Sequence, residues 1–195
     1  KDELQKVLSS SSFPLLASTK IEGVPLSIEG CVLKKDLFYL PPQIQVLDQP
    51  ELVGEGTFGR FCGHDFTTSL IPETVQKKCF EYVEKIGKAL REEGFKGLFA
   101  LDCVWAKDGK VYLIELNPRL SGSLPVQVWL QLAQKQVPLL AWHLMEFLGA
   151  SYSVNQRKLQ AEYLKPRRGA HLVLYHLGKE PLLIKKSLRA GVYFF

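Results

Sequence analysis

Long apolar runs are absent from this chain of 195 residues; none reaches the ~18 that a membrane-crossing helix needs. The opening residues lack the charged, apolar and small-residue succession of a secretory signal. Lys-Asp-Glu-Leu stands at the wrong end of the chain to be a retention tag. Cysteine is sparse and unpatterned: Cys31, Cys62, Cys79 and Cys103 show no C-x-x-C spacing, and three lie in or beside apolar runs. They read as reduced core thiols of a cytoplasmic protein. There is no internal repeat, no low-complexity run beyond Ser9–Ser12, and no Ser/His/Asp or Cys/His arrangement of a nucleophilic enzyme.

What is there suits one globular domain, 46% hydrophobic and 23% charged, and long enough to bury a core. The net charge of +5 favours anionic ligands such as nucleotides. Nucleic acid would be attracted too, but the basic residues are dispersed. The densest group, Lys165, Arg167 and Arg168, reads as a short solvated loop.

The most informative stretch runs from Phe95 to Gly122. It predicts two strands, Gly97–Ala106 and Lys110–Pro118, joined through Asp108–Gly109. A type I′ turn there sets Lys107 against Lys110, Asp102 against Glu115 and Ala100 against Asn117. Cross-strand neighbours sit roughly 4.5–5.5 Å apart at Cβ, where like charges destabilise a sheet. Either one carboxylate is protonated or a cation lies between them. In an arbitrary hairpin, two such acids would serve as partners for Lys or Arg on a half-exposed sheet. Here Asp102, Glu115, Asn117 and Arg119 share one face of otherwise apolar strands, which favours a hard cation such as Mg²⁺ with phosphate oxygens. Arg119 can hold an anion bidentately.

The pattern D-x12-E-x-N-P-R, formed by Asp102, Glu115, Asn117, Pro118 and Arg119, resembles the metal-binding hairpin of the ATP-grasp superfamily. Ile21–Cys31 resembles the strand that follows the adenine hinge in the same family, and the resemblance extends from Phe13 to Gly149. It implies an α+β fold, an antiparallel sheet with packed helices, and is nearest to the carboxylate–amine ligases. Asp102, Glu115 and Asn117 would then hold the Mg²⁺ carried by ATP (Mn²⁺ could replace it), and Arg119 would contact the transferring phosphate or acyl phosphate. Leu16, Ala17, Ser18, Glu22 and Leu116 would surround the nucleotide. Phe13–Ser18 serves equally well as a plain core strand. Pro25 stands where many members carry a ribose-binding Glu, a role Glu22 or Glu29 could take. The implied reaction is amide-type ligation of a small-molecule carboxylate and amine through an acyl phosphate. It involves no nucleic acid and no membrane; a homodimer would fit. The competing readings are a non-catalytic nucleotide-binding or interaction module, and a nucleic-acid-binding β domain.

Elsewhere, Leu26–Lys34 and Leu37–Leu40 predict a second hairpin, and Glu73–Glu93 an amphipathic helix with Val75, Cys79, Tyr82, Val83, Ile86 and Leu90 inward. Gly54–Gly59 fits G-x-G-x-x-G, but neither Rossmann nor kinase context surrounds it. Arg60 and Asp65 beside it are weak substrate-contact candidates against a plain solvent turn. Ser121, Gly122 and Ser123 could bind a substrate anion, with capping of the next helix favoured. Helices are expected over Leu124–Gln136 and from Pro138 to Gly149, with Trp129, Trp142, Leu144, Phe147 and Leu148 core-facing and His143 in packing or on the surface rather than a ligand. Ser151–Arg168 reads as a linker; Ala170–Tyr175, Pro181–Lys186 and Val192–Phe195 read as strands of a β appendage. His171 and His176 would face opposite ways. These readings divide the chain into an ATP-grasp portion over 1–150 and an extension over 151–195. The ends suggest a fragment, with the phosphate-holding lysines of a first lobe expected upstream.

Overall fold

The computed structural model describes residues 5–6, 9–10, 13, 18–55, 59–176 and 178. Its centre is β1 (Gly23–Val32), whose side chains alternate between two unlike faces. Leu26 and Ile28 enter one apolar cluster; Ser27 and Glu29 point to the other side. Around β1 lie β2 (Leu37–Tyr39), β3 (Gln43–Leu47), β4 (Phe61–Asp65), β5 (Gly97–Ala106), β6 (Val111–Asn117) and β7 (Ala170–Leu172). The order is β6-β5-β1-β3-β4-β7, with β2 also on β1, and every pair is antiparallel. The α+β class with an antiparallel sheet is as expected.

Between β3 and β4 lies the short α1 (Pro50–Val53), and α2 (Glu73–Glu92) covers the apolar face. Its predicted stripe holds: Val75, Cys79 and Val83 are buried, while Tyr82, Ile86 and Leu90 pack at the margin. Gly87 permits the close approach, since a Cβ there would meet Leu37 Cδ1 at 2.7 Å. All four cysteines are free and buried. Among the described residues no helix is long and apolar enough to cross a membrane.

One end of the opposite face is covered by α3 (Leu124–Ala133), α4 (Leu139–Phe147) and α5 (Gln156–Tyr163). Here Cys31, Leu33, Phe38, Leu40 and Leu98 meet Leu124, Leu139, Trp142 and Tyr163. Of the five residues expected to face the core, only Trp142 does. Trp129, Leu144, Phe147 and Leu148 are exposed, because α3 and α4 are apolar on more sides than the sheet can cover. The linker expected over 151–168 contains α5, started by Asn155, whose side chain accepts from Lys158 N–H at 2.9 Å. Arg167, expected in a solvated loop, is buried. β7 adds to the main sheet on β4 rather than forming an appendage. The strands expected over 181–186 and 192–195, and most of Phe13–Ser18, lie outside the described residues. β3 and β4 were not read from the sequence: Gln45 and His64 break their apolar character because they line the uncovered, polar face, and Gln43 because it is buried against Gln127.

Candidate functional site

The central hairpin closes differently from the expectation, yet delivers the expected pair. Gly109 N–H donates to Ala106 O at 2.9 Å and Ala106 N–H to Lys110 O at 2.8 Å, with Gly109 at φ 80°. Lys107, Asp108 and Gly109 therefore form a three-residue loop, and Ala106, not Lys107, faces Lys110. A bulge beside Asp102 then shifts the register by one, with Ile114 as the extra residue. Cys103 pairs with Leu113, but Asp102 pairs with Glu115 and Ala100 with Asn117.

Side chains from three strands meet at Asp102. Gln45 Nε2 donates to Asp102 Oδ1 at 2.7 Å, and Asn117 Nδ2 to Asp102 Oδ2 at 3.0 Å. Arg119 in turn donates to Asn117 Oδ1 at 3.2 Å and to Leu120 O at 3.1 Å. Burial pushes the Asp102 carboxyl above its ordinary range and the Glu115 charge adds to this, while hydrogen bonds from Ser27 and Gln45 and the charge of Arg119 oppose it. Among the described residues, none of the ion pairs takes up Asp102 or Glu115.

These groups line a cavity of about 680 Å³, with Ser27 and His64. A second cavity, about 1010 Å³, adjoins it through Pro25, Gln45, Leu47, Gly59 and Val104. Glu22 lines the second cavity and pairs with Lys107 at 2.8 Å on the surface. Ser18 is exposed and lines neither; Leu16 and Ala17 lie outside the described residues. Leu116, next to Glu115, projects to the other face of the edge strand and lines neither cavity. Pro25 lines both. Glu29 lies buried and lines neither, away from Glu22.

Arg60 lies over the Tyr175 ring at 5.6 Å, and Asp65 Oδ1 accepts from Thr67 N–H at 2.8 Å; neither lines either of these two cavities. The glycine-rich loop returns through Asp48, whose carboxylate accepts from the N–H groups of Gly59 and Arg60 at 2.8 and 2.7 Å. His143 is in packing, its Nδ1 accepting from Leu98 N–H at 3.1 Å.

The favoured role of the serines, capping α3, is corrected. Ser123 makes no side-chain cap to this helix, whose second residue, Pro125, has no N–H to satisfy. Ser121 and Ser123 instead donate to Glu29 Oε1. Three residues of the site escaped the sequence reading: Gln45, Ser27 and His64. The alternation of β1 could have revealed Ser27. His64 faces His171 across β4 and β7 with ring centroids 5.3 Å apart, and burial beside that second imidazole brings its pKa down to about 3.

The family model of the ATP-grasp domain matches residues 1–123. The chain belongs to the ATP-grasp family. No curated protein matches it. Among solved ATP-grasp structures, it is similar to N5-carboxyaminoimidazole synthase from Aspergillus clavatus, in complex with ADP and 5-aminoimidazole ribonucleotide. The TM-score is 0.56 at 14% identity, over 85% of this chain and 39% of that one. Biotin carboxylase from Campylobacter jejuni, in a β-γ-ATP complex, gives 0.55 at 12%, over 78% and 30%. The biotin carboxylase domain of Hydrogenobacter thermophilus 2-oxoglutarate carboxylase, with MgADP and bicarbonate, gives 0.53 at 14%, over 75% and 28%. At these identities the likeness is one of fold. The chain spans 28 to 39% of the length of these structures.

Proposed function

We propose that this chain carries the metal- and phosphate-holding hairpin of an ATP- and Mg²⁺-dependent ligase. The bond formed joins a small carboxylate and an amine through an acyl phosphate. The observation that carries the reading is Asp102 facing Glu115 with no ion-pair partner among the described residues, beside Asn117 and Arg119 over a cavity. The donor set fits a hard divalent ion, Mg²⁺ or Mn²⁺: two carboxylates and an amide oxygen, with the remaining positions open to phosphate oxygens. Among the described residues no three His, Cys, Asp or Glu converge as a metal centre. ADP, MgADP and an ATP analogue in the solved relatives support a nucleotide in the adjoining cavities.

The chain's own residues divide the work. Asp102 is fixed from both sides by Gln45 and Asn117. Arg119, now resting on Asn117 Oδ1, can turn to the transferring phosphoryl group, which frees that oxygen as a ligand. In the first step a substrate carboxylate oxygen attacks the γ-phosphorus and ADP leaves. In the second the amine attacks the acyl carbon, phosphate leaves, and the nitrogen gives up a proton. Bound Mg²⁺ would offset charge on the phosphate oxygens. No protein nucleophile is required, in line with a chemistry built on positioning. Carboxylates in the cavity weigh against a nucleic-acid backbone as its occupant.

Glu115→Gln in the full-length protein tests the reading. It removes one charge and keeps the size. ATP-dependent ligation is expected to fall by about 10²-fold or more. Stability in EDTA should hold or rise as carboxylate repulsion is relieved. Normal activity in a destabilised protein would make Glu115 a structural partner and end the metal reading.

A further inference from the structure

Glu29 has 2% of its surface exposed, an acidic residue buried within reach of the Arg167 charge. It lies in one cross-strand row with Ala100 and Asn117, since Glu29 pairs with Ala100 and Ala100 with Asn117. The carboxylate therefore lies on the face of the metal-ligand candidates, with only an alanine side chain between it and Asn117. Ser121 and Ser123 both donate to its Oε1, and their own hydroxyls are 2.8 Å apart. These serines follow Arg119 by two and four residues. We infer that Glu29 is a positioning residue that holds, through Ser121 and Ser123, the loop from which Arg119 reaches the transferring group. This rests on the ligase reading above.

The alternative, that Glu29 only stabilises the fold, agrees poorly with its surroundings. Its Oε2, Gln43 Nε2 and Arg167 Nε are all buried without a hydrogen-bond partner. Unsatisfied buried groups destabilise, and a well-packed apolar cluster in their place is commonly neutral or better. Behind the serines the scaffold is firm: Arg167 donates to Gln127 Oε1 at 2.7 Å and to Tyr163 O at 3.0 Å, and Gln127 Nε2 donates to Gln43 Oε1. The first turns of α3 are thereby fixed to β3 and to the end of α5. Between this scaffold and β6, backbone bonds hold the loop at Arg119 N–H to Asn117 O, 2.8 Å, and Leu124 N–H to Ser121 O, 3.3 Å. Beside the Arg119 bonds to Asn117 Oδ1 and Leu120 O, the serine–glutamate bridge ties the residues after Arg119 to β1.

The test compares the full-length protein with Ser121→Ala/Ser123→Ala and with Glu29→Gln, which keeps size and one acceptor should Glu29→Ala fail to fold. Two measurements are made: hydrogen exchange of the amides over 119–123, and the affinities for MgATP and MgADP. In the double variant the loop amides should exchange about tenfold faster or more, while those of α2 do not change. The affinity for MgATP should fall by about tenfold or more, with MgADP affinity kept. Glu29→Gln should fall between the two proteins. Unchanged loop exchange overturns the inference. So does a loosened loop with MgATP affinity unchanged, for then the tether does not govern Arg119. If the unsubstituted protein binds neither nucleotide, the ligase reading itself falls, and the positioning role with it.

Discussion

Asp102 meets opposing demands: hydrogen bonds fix it in place, while burial and Glu115 disfavour its charge. Its raised pKa has a definite consequence for stability. The folded protein holds a proton here that the unfolded chain has lost, so the contribution of Asp102 to metal-free stability is fully present below the ordinary carboxyl value of 3.8 and is lost as pH rises through the folded value. Asp102→Asn is expected to remove this decline. Its melting temperature in EDTA should exceed that of the parent at pH 7, at about 2–4 °C per kcal/mol, with the difference closing below pH 3.8. A variant less stable than the parent at pH 7 would show that the carboxylate is structurally needed.

At the scale of elements, the hairpin β5–β6 supplies the acids and β3 supplies Gln45, but β4 and β7 bring together a buried histidine, His64, and a half-buried one, His171. His64 touches Phe61, Phe66 and His171, with ring centroids 4.8, 5.7 and 5.3 Å away. Its pKa falls from 6.5 to about 3, and that of His171 falls too, mainly through burial. For such lowered bases the unfolded chain takes up protons first. Their contribution is intact above pH 6.5 and is lost as pH drops towards 3. His64→Gln should flatten this acid limb, measured as unfolding free energy against pH. An equally steep limb would assign it to other groups. Elements with a strong local signal were the legible ones: α2 was read to within a residue of its end. The five-residue β3 and β4 were missed because Gln, His and Gly interrupt them where they border the cavities.

The molecule as a whole is tied together by α5, which the sequence presented as a linker. Tyr163 is fully buried, accepts from Trp142 Nε1 at 2.6 Å and donates to Val137 O at 2.6 Å. Tyr163→Ala should cost roughly 3–5 kcal/mol, as large aromatic truncations in cores do. The loss should appear in one cooperative transition, seen together by fluorescence and far-ultraviolet circular dichroism in urea. A small change, or a separate early transition of the last helix, would return 151–168 to the status of a linker.

By itself the sequence determined the candidate site's central part, because everything needed lies within one hairpin. Asp-Gly lies in its turn, alternation sets the faces, and Asp102, Glu115, Asn117 and Arg119 stand at spacings that a hairpin can bring to one face. Even there the turn type was misjudged, and a bulge restored the register. Only the tertiary structure decided what surrounds that hairpin: Gln45 arriving from β3, Glu29 linked to serines more than 90 residues away, and Arg167 buried rather than solvated. The physical reason is range. Turn chemistry and side-chain period act between near neighbours, whereas the fate of a polar residue depends on which face of the sheet is covered, and distant helices decide that.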